Sequence, residues 1–385
     1  YRRTDPQYYW PGDTSPFKEI KHLLPNHFLD LRTGQSHRYW PVANLPAREP
    51  REVVEEGARL LQGMIESASR RFDLSLTLTA GRDTRTLLAA SRSVRDRLFV
   101  YTLMFWSLQW DSPDIRVPHE VLSRLGMAHH VIVCPPRMDR EFRRIYRRHV
   151  VTAHDAYGPL VQGECESYPP GVVQMAGDAM PITSWWFRDR FKRWFPERDA
   201  EKPDVEMLTW LARRDDDFSR EAIGRWLSGV PAEGIPVPDL WFWEQTEGAW
   251  DAMTLLEWDL AHESFVPYNC RRFLINALST PASFRMPPDF RFHEALMRRM
   301  WPEVLEEPIN PPAAPTKVYA ATAKLSALQE KVRREPRPTI VVDAGSAYMR
   351  HAWLTSLDRL ISRHPLGPVA RTPSEMGSAT PRTGA

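Results

Sequence analysis

Apolar residues recur at two different spacings in the first half of the chain. One set is separated by alternating steps of four and three residues, as on one face of a helix, and comprises Val54, Ala58, Leu61, Ile65 and Ala68. Residues 74–78, Leu-Ser-Leu-Thr-Leu, then alternate at period two, which is typical of a strand. A helix followed by a strand is therefore predicted here.

Further strands alternate with helices downstream. Short, apolar and β-prone runs predict three strands, at 98–104, 130–134 and 172–175. Helical stretches separate the four predicted strands, at 85–91, 118–125 and 139–154. This alternation predicts an α/β fold with a parallel sheet flanked by helices. In such sheets a ligand binds beyond the carboxyl ends of the strands, so the segments after the first and fourth strands are the candidate sites.

The rest of the chain has a different texture. The first 50 residues are rich in proline and aromatic residues, and one hairpin is expected there. After Thr183 the chain becomes helical, rich in tryptophan and interrupted by proline, with helices predicted at 208–227, 241–261, 271–279, 317–334 and 347–362. The range 366–385 is rich in Pro, Ser, Thr and Gly, and is predicted to be disordered. We expect three parts: 1–50, 51–365 and the tail 366–385.

Composition narrows the classes of function. The 51 Lys and Arg residues against 49 Asp and Glu give a formal charge of +2, which provides no general case for a nucleic-acid partner. The three cysteines are far apart and form neither a disulfide framework nor a zinc motif. No run approaches the roughly 18 apolar residues of a membrane span, and the start lacks the apolar region of a signal peptide. A cytoplasmic protein without a membrane partner is expected.

The segment after the first predicted strand carries the first candidate chemistry. Residues 79–84, Thr-Ala-Gly-Arg-Asp-Thr, place backbone N–H groups and hydroxyls at the start of a helix, where phosphate is favoured. Asp83 would repel phosphate unless Mg²⁺ lay between them, so it is interpreted as a metal ligand. The alternative is an ordinary turn in which Thr and Asp cap the helix.

Residues 76–85 resemble the pyrophosphatase loop of asparagine-synthetase-like enzymes, Ser-Gly-Gly-x-Asp-Ser, with Thr79 in place of Ser and Ala80 in place of Gly. The similarity is collinear along residues 20–310 and includes the segments 23–31, 38–41, 125–130 and 265–285. It implies a parallel sheet of the five-stranded, adenine-nucleotide α-hydrolase-like type with a helical C-terminal half. Residues 1–50 would then be the remnant of an amidotransferase domain, and 51–365 the ATP-binding synthetase domain.

The resemblance implies a reaction. Such enzymes activate a carboxylate with ATP and Mg²⁺ as an acyl-adenylate, release pyrophosphate, and let ammonia or an amine attack to give an amide. Asp83 matches a Mg²⁺ ligand. The positions that match contacts to ATP or its pyrophosphate are Leu78, Thr79, Ala80, Gly81, Asp83, Thr84, Leu103, Met104 and Gly177. For Leu103 and Met104, simple strand core is the alternative.

A second motif follows the fourth strand. Gly177 and Asp178 resemble the start of the family's Gly-(Glu/Asp)-Gly-x-Asp-Glu loop, and Asp178 matches a general base. Glu263 is close to a family Glu that would assist it, and Lys317 is the candidate for the family's late Lys. The chain departs from the family at 179–182, Ala-Met-Pro-Ile, where the second Mg²⁺ carboxylate is missing, so Asp178 is the candidate for that role as well.

Three functions remain open from the sequence. The first is an ATP-dependent carbon–nitrogen ligase acting on a small-molecule or peptide carboxylate. The second is a catalytically degenerate nucleotide-binding or interaction protein, suggested by the missing carboxylate. The third is a tRNA-modifying enzyme, disfavoured by the near-neutral charge. Since no cysteine precedes Cys134 to serve as a glutaminase nucleophile, ammonia would come from a separate glutaminase domain or subunit, or the amine donor is not glutamine-derived.

Overall fold

A parallel five-stranded sheet forms the centre of the protein. The computed structural model describes residues 9–105, 108–150, 155–184 and 188–312. An antiparallel hairpin precedes the sheet and consists of β1 (His27–Asp30) and β2 (Gln35–Arg38). The strands of the sheet are β3 (Leu74–Thr77), β4 (Phe99–Met104), β5 (His130–Val133), β6 (Val173–Met175) and β7 (Ser264–Phe265). Their order is β5-β4-β3-β6-β7, with every neighbouring pair parallel.

Helices flank this sheet, which confirms the predicted α/β class. The α-helices are α1 (Pro50–Ser69), α2 (Arg82–Ala90), α3 (Pro113–Arg124), α4 (Arg140–His149), α5 (Gly158–Ser167), α6 (Arg188–Trp194), α7 (Val205–Leu211), α8 (Asp217–Ser228), α9 (Val237–Trp241), α10 (Ala252–Trp258), α11 (Arg271–Leu278), α12 (Ala282–Arg285) and α13 (Arg291–Met300). Short 3₁₀ segments lie at Arg92–Arg97, Met180–Thr183 and Pro302–Leu305. A π-helical segment, Phe242–Asp251, joins α9 to α10.

The periodic positions of the sequence form the core. Ala58, Leu61 and Ile65 of α1 are buried against the same cluster as Leu76 of β3 and Leu87 of α2. These side chains are at most 1% exposed, so α1 and β3 bury their apolar faces in one common core. Burial of a Leu or Ile side chain contributes about 2 kcal/mol, which makes this interface a principal support of the sheet.

Three predicted helices differ from the structure. The range 241–261 is the π-helical segment followed by α10 rather than one α-helix. The range 208–227 is two helices rather than one, because Arg213 adopts a left-handed φ of 55° and the Asp216 carboxylate caps a new helix by accepting the N–H of Ser219. The helix predicted at 118–125 begins earlier, at Pro113, after the N-cap Ser112. The predicted helices 317–334 and 347–362, the tail 366–385 and Lys317 lie outside the described residues.

The N-terminal segment is fastened to the π-helical segment. Arg38 of β2 pairs with the buried carboxylate of Glu244, which also accepts a hydrogen bond from the Asn26 amide at 3.1 Å. Farther upstream, the Gly12 N–H donates to Gln245 Oε1 at 2.7 Å. The expected hairpin is therefore present and is anchored by buried polar contacts. In the described ranges, no helix is both long and apolar enough to cross a bilayer.

Candidate functional site

Three strand ends meet at one edge of the sheet. Because β3 lies between β4 and β6 and all three run parallel, their carboxyl ends open at the same side. Leu78 continues the pairing beyond β3, since its N–H donates to the carbonyl of Tyr101 at 2.8 Å. This edge brings together the β3–α2 turn (residues 78–84), Leu103 and Met104 at the end of β4, and the β6 loop (residues 176–179).

The N–H groups of Thr79, Ala80 and Gly81 in the β3–α2 turn each donate to a side-chain oxygen. The Thr79 N–H donates to Thr84 Oγ1 at 3.2 Å, and the Gly81 N–H donates to Thr79 Oγ1 at 3.1 Å. The Ala80 N–H donates to a carboxylate from another element, Asp114 Oδ1, at 3.1 Å. A Cβ at Gly81 would lie 3.0 Å from Thr79 Oγ1, so a side chain there would require Thr79 to shift by a few tenths of an ångström.

The Thr and Asp side chains of this turn do not make the N-cap hydrogen bond of α2. Gly81 is the N-cap residue of α2, and no side chain makes the cap hydrogen bond. Asp83 lies in the first turn of α2, where its Oδ1 is 3.2 Å from Nε2 of the buried His293. Its carbonyl accepts a hydrogen bond from the Tyr268 hydroxyl at 2.7 Å. Since its side chain keeps 38% exposure, the Asp83 carboxylate is fixed in place and still accessible.

The β6 loop packs directly on the β3–α2 turn. A Cβ at Gly177 would lie 3.2 Å from Cγ2 of Thr84 and 3.4 Å from Cβ of Asp83, so the absent side chain permits this approach. Ala179 adopts a left-handed φ of 66°, which costs a non-glycine residue free energy. Asp178, which lies between Gly177 and Ala179, is therefore located where the β6 loop contacts the β3–α2 turn.

Two carboxyl groups from the π-helical segment join Asp178. Glu247 Oε2 accepts the Ala179 N–H at 2.8 Å. The Asp251 side chain lies close enough to those of Asp178 and Glu247 to act on the pKa of both. The acidic triad, as we call Asp178, Glu247 and Asp251, lies beside the β3–α2 turn.

Burial sets the ionisation of the acidic triad. Burial, and then the neighbouring Asp251 carboxylate, raise the pKa of Asp178 well above its usual value. Burial likewise raises the pKa of Asp251 well above normal, with Glu247 next in importance. For Glu247 burial is again the leading cause, and its pKa rises from 4.5 to about 7. Of the three, Glu247 is the group whose pKa lies near neutral pH, the range in which a general base works best.

Sequence reasoning missed Glu247 and Asp251. Their only signal is a spacing of four residues, which places two acids on one helical face within the apolar, tryptophan-rich range 241–261. Such a pair usually lies on a solvated surface, and its approach to Asp178 depends on the chain returning across 68 residues. A π-helical segment is rare and often occurs at functional sites, but its position cannot be predicted from the sequence pattern.

Glu263, which is predicted to assist Asp178, does not lie at the β6 loop. It is exposed and immediately precedes β7, and its carbonyl accepts the N–H of Gln174 at 2.9 Å. Because β6 and β7 are parallel, with Gln174 opposite Ser264, Glu263 lies toward the amino ends of the strands, away from the β6 loop. The structure thus separates Glu263 from Asp178, and the carboxyl groups beside the β6 loop are those of Glu247 and Asp251.

The metal ligands remain a prediction. Asp83 acts on the pKa of Asp178 as a nearby like charge, which places the two predicted ligands in the same region. Within residues 9–312, leaving aside 106–107, 151–154 and 185–187, no group of three or more His, Cys, Asp or Glu side chains has the arrangement of a metal site. No protein-family model and no curated protein matches the chain.

Proposed function

We propose that this protein is an ATP-dependent amide-forming ligase that resembles asparagine synthetase. It would activate a carboxylate as an acyl-adenylate, release pyrophosphate and transfer the acyl group to ammonia or an amine. The observation that carries the proposal is the meeting of two loops at one sheet edge, where a Cβ on Gly177 would lie 3.2 Å from Thr84. One of these loops offers N–H groups and hydroxyls, and the other brings carboxyl groups.

The β3–α2 turn has the donors that a triphosphate needs. Its Ala80 N–H already binds an anionic oxygen, that of Asp114, which supports its capacity for phosphate oxygens. We assign Thr79, Ala80, Gly81 and Thr84 to the pyrophosphate part of ATP, and Leu78, Leu103 and Met104 to the adenine. Leu78 and Leu103 are buried at this edge, while Met104 is partly exposed.

Carboxylate oxygen is the ligand that Mg²⁺ prefers, and Asp83 and Asp178 fit that requirement. We assign both to hold the ion. Bound Mg²⁺ would neutralise charge on the departing pyrophosphate. The chain's own contribution is to fix Asp83 through His293 and Tyr268 at the start of α2, while its side chain keeps 38% exposure.

The acidic triad would accept the proton that the attacking amine loses. Glu247, with a pKa of about 7, is poised to exchange a proton with Asp251 near neutral pH. Asp251 in turn contacts Asp178, so a proton taken at Asp178 is passed away from the reacting atoms. We therefore assign to Glu247 and Asp251 the assisting role expected of Glu263, and leave Lys317 as the proposed residue for the adenylation step.

The proposal identifies the substrates only by their chemical class. The acid would be a small-molecule or peptide carboxylate, and the amine would be ammonia, from a separate glutaminase domain or subunit, or another donor. A cytoplasmic location, where Mg-ATP is abundant, and the absence of nucleic-acid and membrane partners are part of the same proposal.

Pyrophosphate release from Mg-ATP tests the proposal. Purified protein is incubated with a panel of amino acids, peptides and other carboxylates, with ammonium as the amine. We expect release with at least one acid and its loss, by a hundredfold or more, in Asp83→Ala. Asp73→Ala is the matched control, because Asp73 is exposed at the amino end of the same strand. No release above the Asp83→Ala level with any acid would contradict ligase activity.

A nucleotide-binding protein without catalysis is the second candidate. The observation in its favour is that residues 179–182 carry no carboxylate where a second metal ligand is expected. In this case Mg-ATP would raise the thermal midpoint of the wild type but not of Asp83→Ala, and no acid in the panel would elicit pyrophosphate. Turnover with any acid would eliminate this candidate.

A further inference from the structure

The Ala80 amide differs from its neighbours in where its hydrogen-bond acceptor comes from. The Thr79 and Gly81 N–H groups donate to hydroxyls within the β3–α2 turn itself. The Ala80 N–H instead donates to Oδ1 of Asp114, which is 34 residues away and belongs to the first turn of α3. A carboxylate therefore reaches across from another helix to the middle of a turn that suits anions.

We propose that Asp114 is an internal competitor of the nucleotide, because its carboxylate occupies the anion position at the Ala80 amide. The proposal rests on the function proposed above for the β3–α2 turn. One N–H group cannot serve a carboxylate and a phosphate oxygen at full strength. Two anions at one amide also repel each other, so nucleotide binding requires Asp114 to leave.

Asp114 is located where its carboxylate can bind the Ala80 N–H stably and can also be displaced by a nucleotide. It follows Ser112, the N-cap of α3, and an acid in the first turn is favoured by the helix dipole with or without the Ala80 contact. Its side chain is partly exposed, so after release it can be solvated where it stands. The cost of displacement is therefore modest, and it lowers nucleotide affinity without preventing binding.

The same contact discriminates between nucleotide forms. A phosphate chain whose charge is reduced by Mg²⁺ is repelled less by Asp114 than a bare polyphosphate. Asp114 therefore weakens binding of free ATP and of inorganic pyrophosphate more than binding of Mg-ATP. This would disfavour unproductive occupation of the turn by a nucleotide that arrives without its cation.

Calorimetric titration of full-length variants with Mg-ATP, with ATP in EDTA and with inorganic pyrophosphate tests this inference. Asp114→Asn removes the charge, and Asp114→Ala removes the competitor altogether. We expect Mg-ATP to bind both variants roughly threefold to tenfold more tightly than wild type, with a larger gain for ATP in EDTA and for pyrophosphate. Asp111→Asn is the matched control, since Asp111 is exposed just before α3 and carries the same charge.

The outcomes separate the inference from the function on which it rests. If wild type binds Mg-ATP and both Asp114 variants bind it equally or more weakly, the competitor role is overturned while the nucleotide site survives. If no protein binds any of the three probes, the nucleotide site fails and the inference fails with it. Equal tightening in Asp111→Asn would assign the effect to overall charge and overturn the specific contact. Circular dichroism spectra confirm that each variant is folded.

Discussion

The backbone N–H of Ala179 donates to Oε2 of Glu247 at 2.8 Å, and this contact joins the β6 loop to the π-helical segment. On the loop side, the donor residue has a left-handed φ of 66°. On the helix side, the acceptor is a carboxyl whose burial raises its pKa from 4.5 to about 7. The strained backbone of Ala179 and the buried carboxyl of Glu247 therefore each reduce the free energy of unfolding. Such costs are common at functional sites.

Glu247→Gln should change how stability depends on pH. Because the folded pKa of about 7 exceeds the ordinary value of 4.5, the folded protein keeps a proton that the unfolded chain has already lost between these pH values. The free energy of unfolding therefore falls as pH rises through this window, by an amount on the order of 2 kcal/mol for this group. The variant lacks this component. Urea unfolding at about pH 5, 6, 7 and 8 measures the slope.

The exposed Glu233 provides the control for that slope. Glu233→Gln should retain the wild-type dependence, because its carboxyl is solvated in both states. If Glu247→Gln and wild type lose stability in parallel between about pH 5 and 8, the carboxyl of Glu247 does not carry the proton assigned to it.

Ala179→Gly should stabilise the protein. At a φ of 66° the Cβ of alanine is crowded by the backbone, whereas glycine adopts this conformation freely. Removal of the strain outweighs the greater entropy of glycine in the unfolded chain, so we expect a gain of about 1 kcal/mol in the free energy of unfolding. Ala68→Gly in α1 is the opposite case and should lose about 1 kcal/mol. If Ala179→Gly also lowers the free energy of unfolding, as Ala68→Gly is expected to do, the backbone of Ala179 is not strained.

Much of the fold follows from the periodicity of the sequence. The alternation in 74–78 and the four-and-three steps after Val54 predict β3 and α1, because one face of each element must be buried. The break between α7 and α8 was not predicted. It arises from the left-handed Arg213 and from the Asp216 cap, which a Trp-rich apolar pattern conceals. Helix boundaries of this kind depend on single side-chain contacts rather than on periodicity.

The site is predictable only where it consists of consecutive residues. The β3–α2 turn and the β6 loop follow directly from strands, so residues such as Thr79 and Asp178 can be proposed from the sequence. Asp114, Glu247 and His293 reach the same edge from distant helices, across 34, 68 and 210 residues to the groups they contact. Nothing local to these residues indicates their partners, since tertiary packing alone sets these contacts.

Gly248→Ala should loosen the N-terminal segment from the π-helical segment. A Cβ at this position would lie 2.4 Å from Cγ of Pro25, far inside van der Waals contact. Pro25 has little freedom to move, because the adjacent Asn26 is bonded to Glu244 and Arg271. We expect a loss of about 2–4 kcal/mol in the free energy of unfolding, measured by urea denaturation.

Gly63→Ala controls for the helix propensity of alanine. Gly63 lies on the exposed face of α1, and a Cβ there would meet no atom within 4 Å. This variant should gain about 0.5–1 kcal/mol, since alanine favours the helix. If Gly248→Ala is as stable as the wild type or more stable, the N-terminal segment shifts away from the new Cβ at no cost in the free energy of unfolding, and the prediction is wrong.

Arg85→Met should release the C-terminal end of the described chain from the β3–α2 turn. Arg85 is 1% exposed, and it donates through Nη1 to the Glu307 carbonyl at 2.7 Å and through Nη2 to the Pro308 carbonyl at 3.1 Å. The Asn310 N–H then donates to the carbonyl of Ala80 at 3.0 Å, so this segment lies along the turn that we assign to phosphate. Methionine retains an unbranched apolar stem but leaves the two carbonyls without their donor.

The expected result is a loss of about 2–4 kcal/mol in the free energy of unfolding and faster cleavage by trypsin after Arg298 or Arg299, the two arginines in the last turn of α13, which precedes this segment. Arg92→Met is the control, because the Arg92 side chain is 49% exposed, approaches Glu303 at 3.7 Å and lies 5.7 Å from the centre of the Trp301 ring. Such surface contacts contribute little, so the loss of stability should stay below about 1 kcal/mol. Equal stability and equal cleavage in the two variants would show that packing of apolar side chains, rather than Arg85, holds the segment beside the turn.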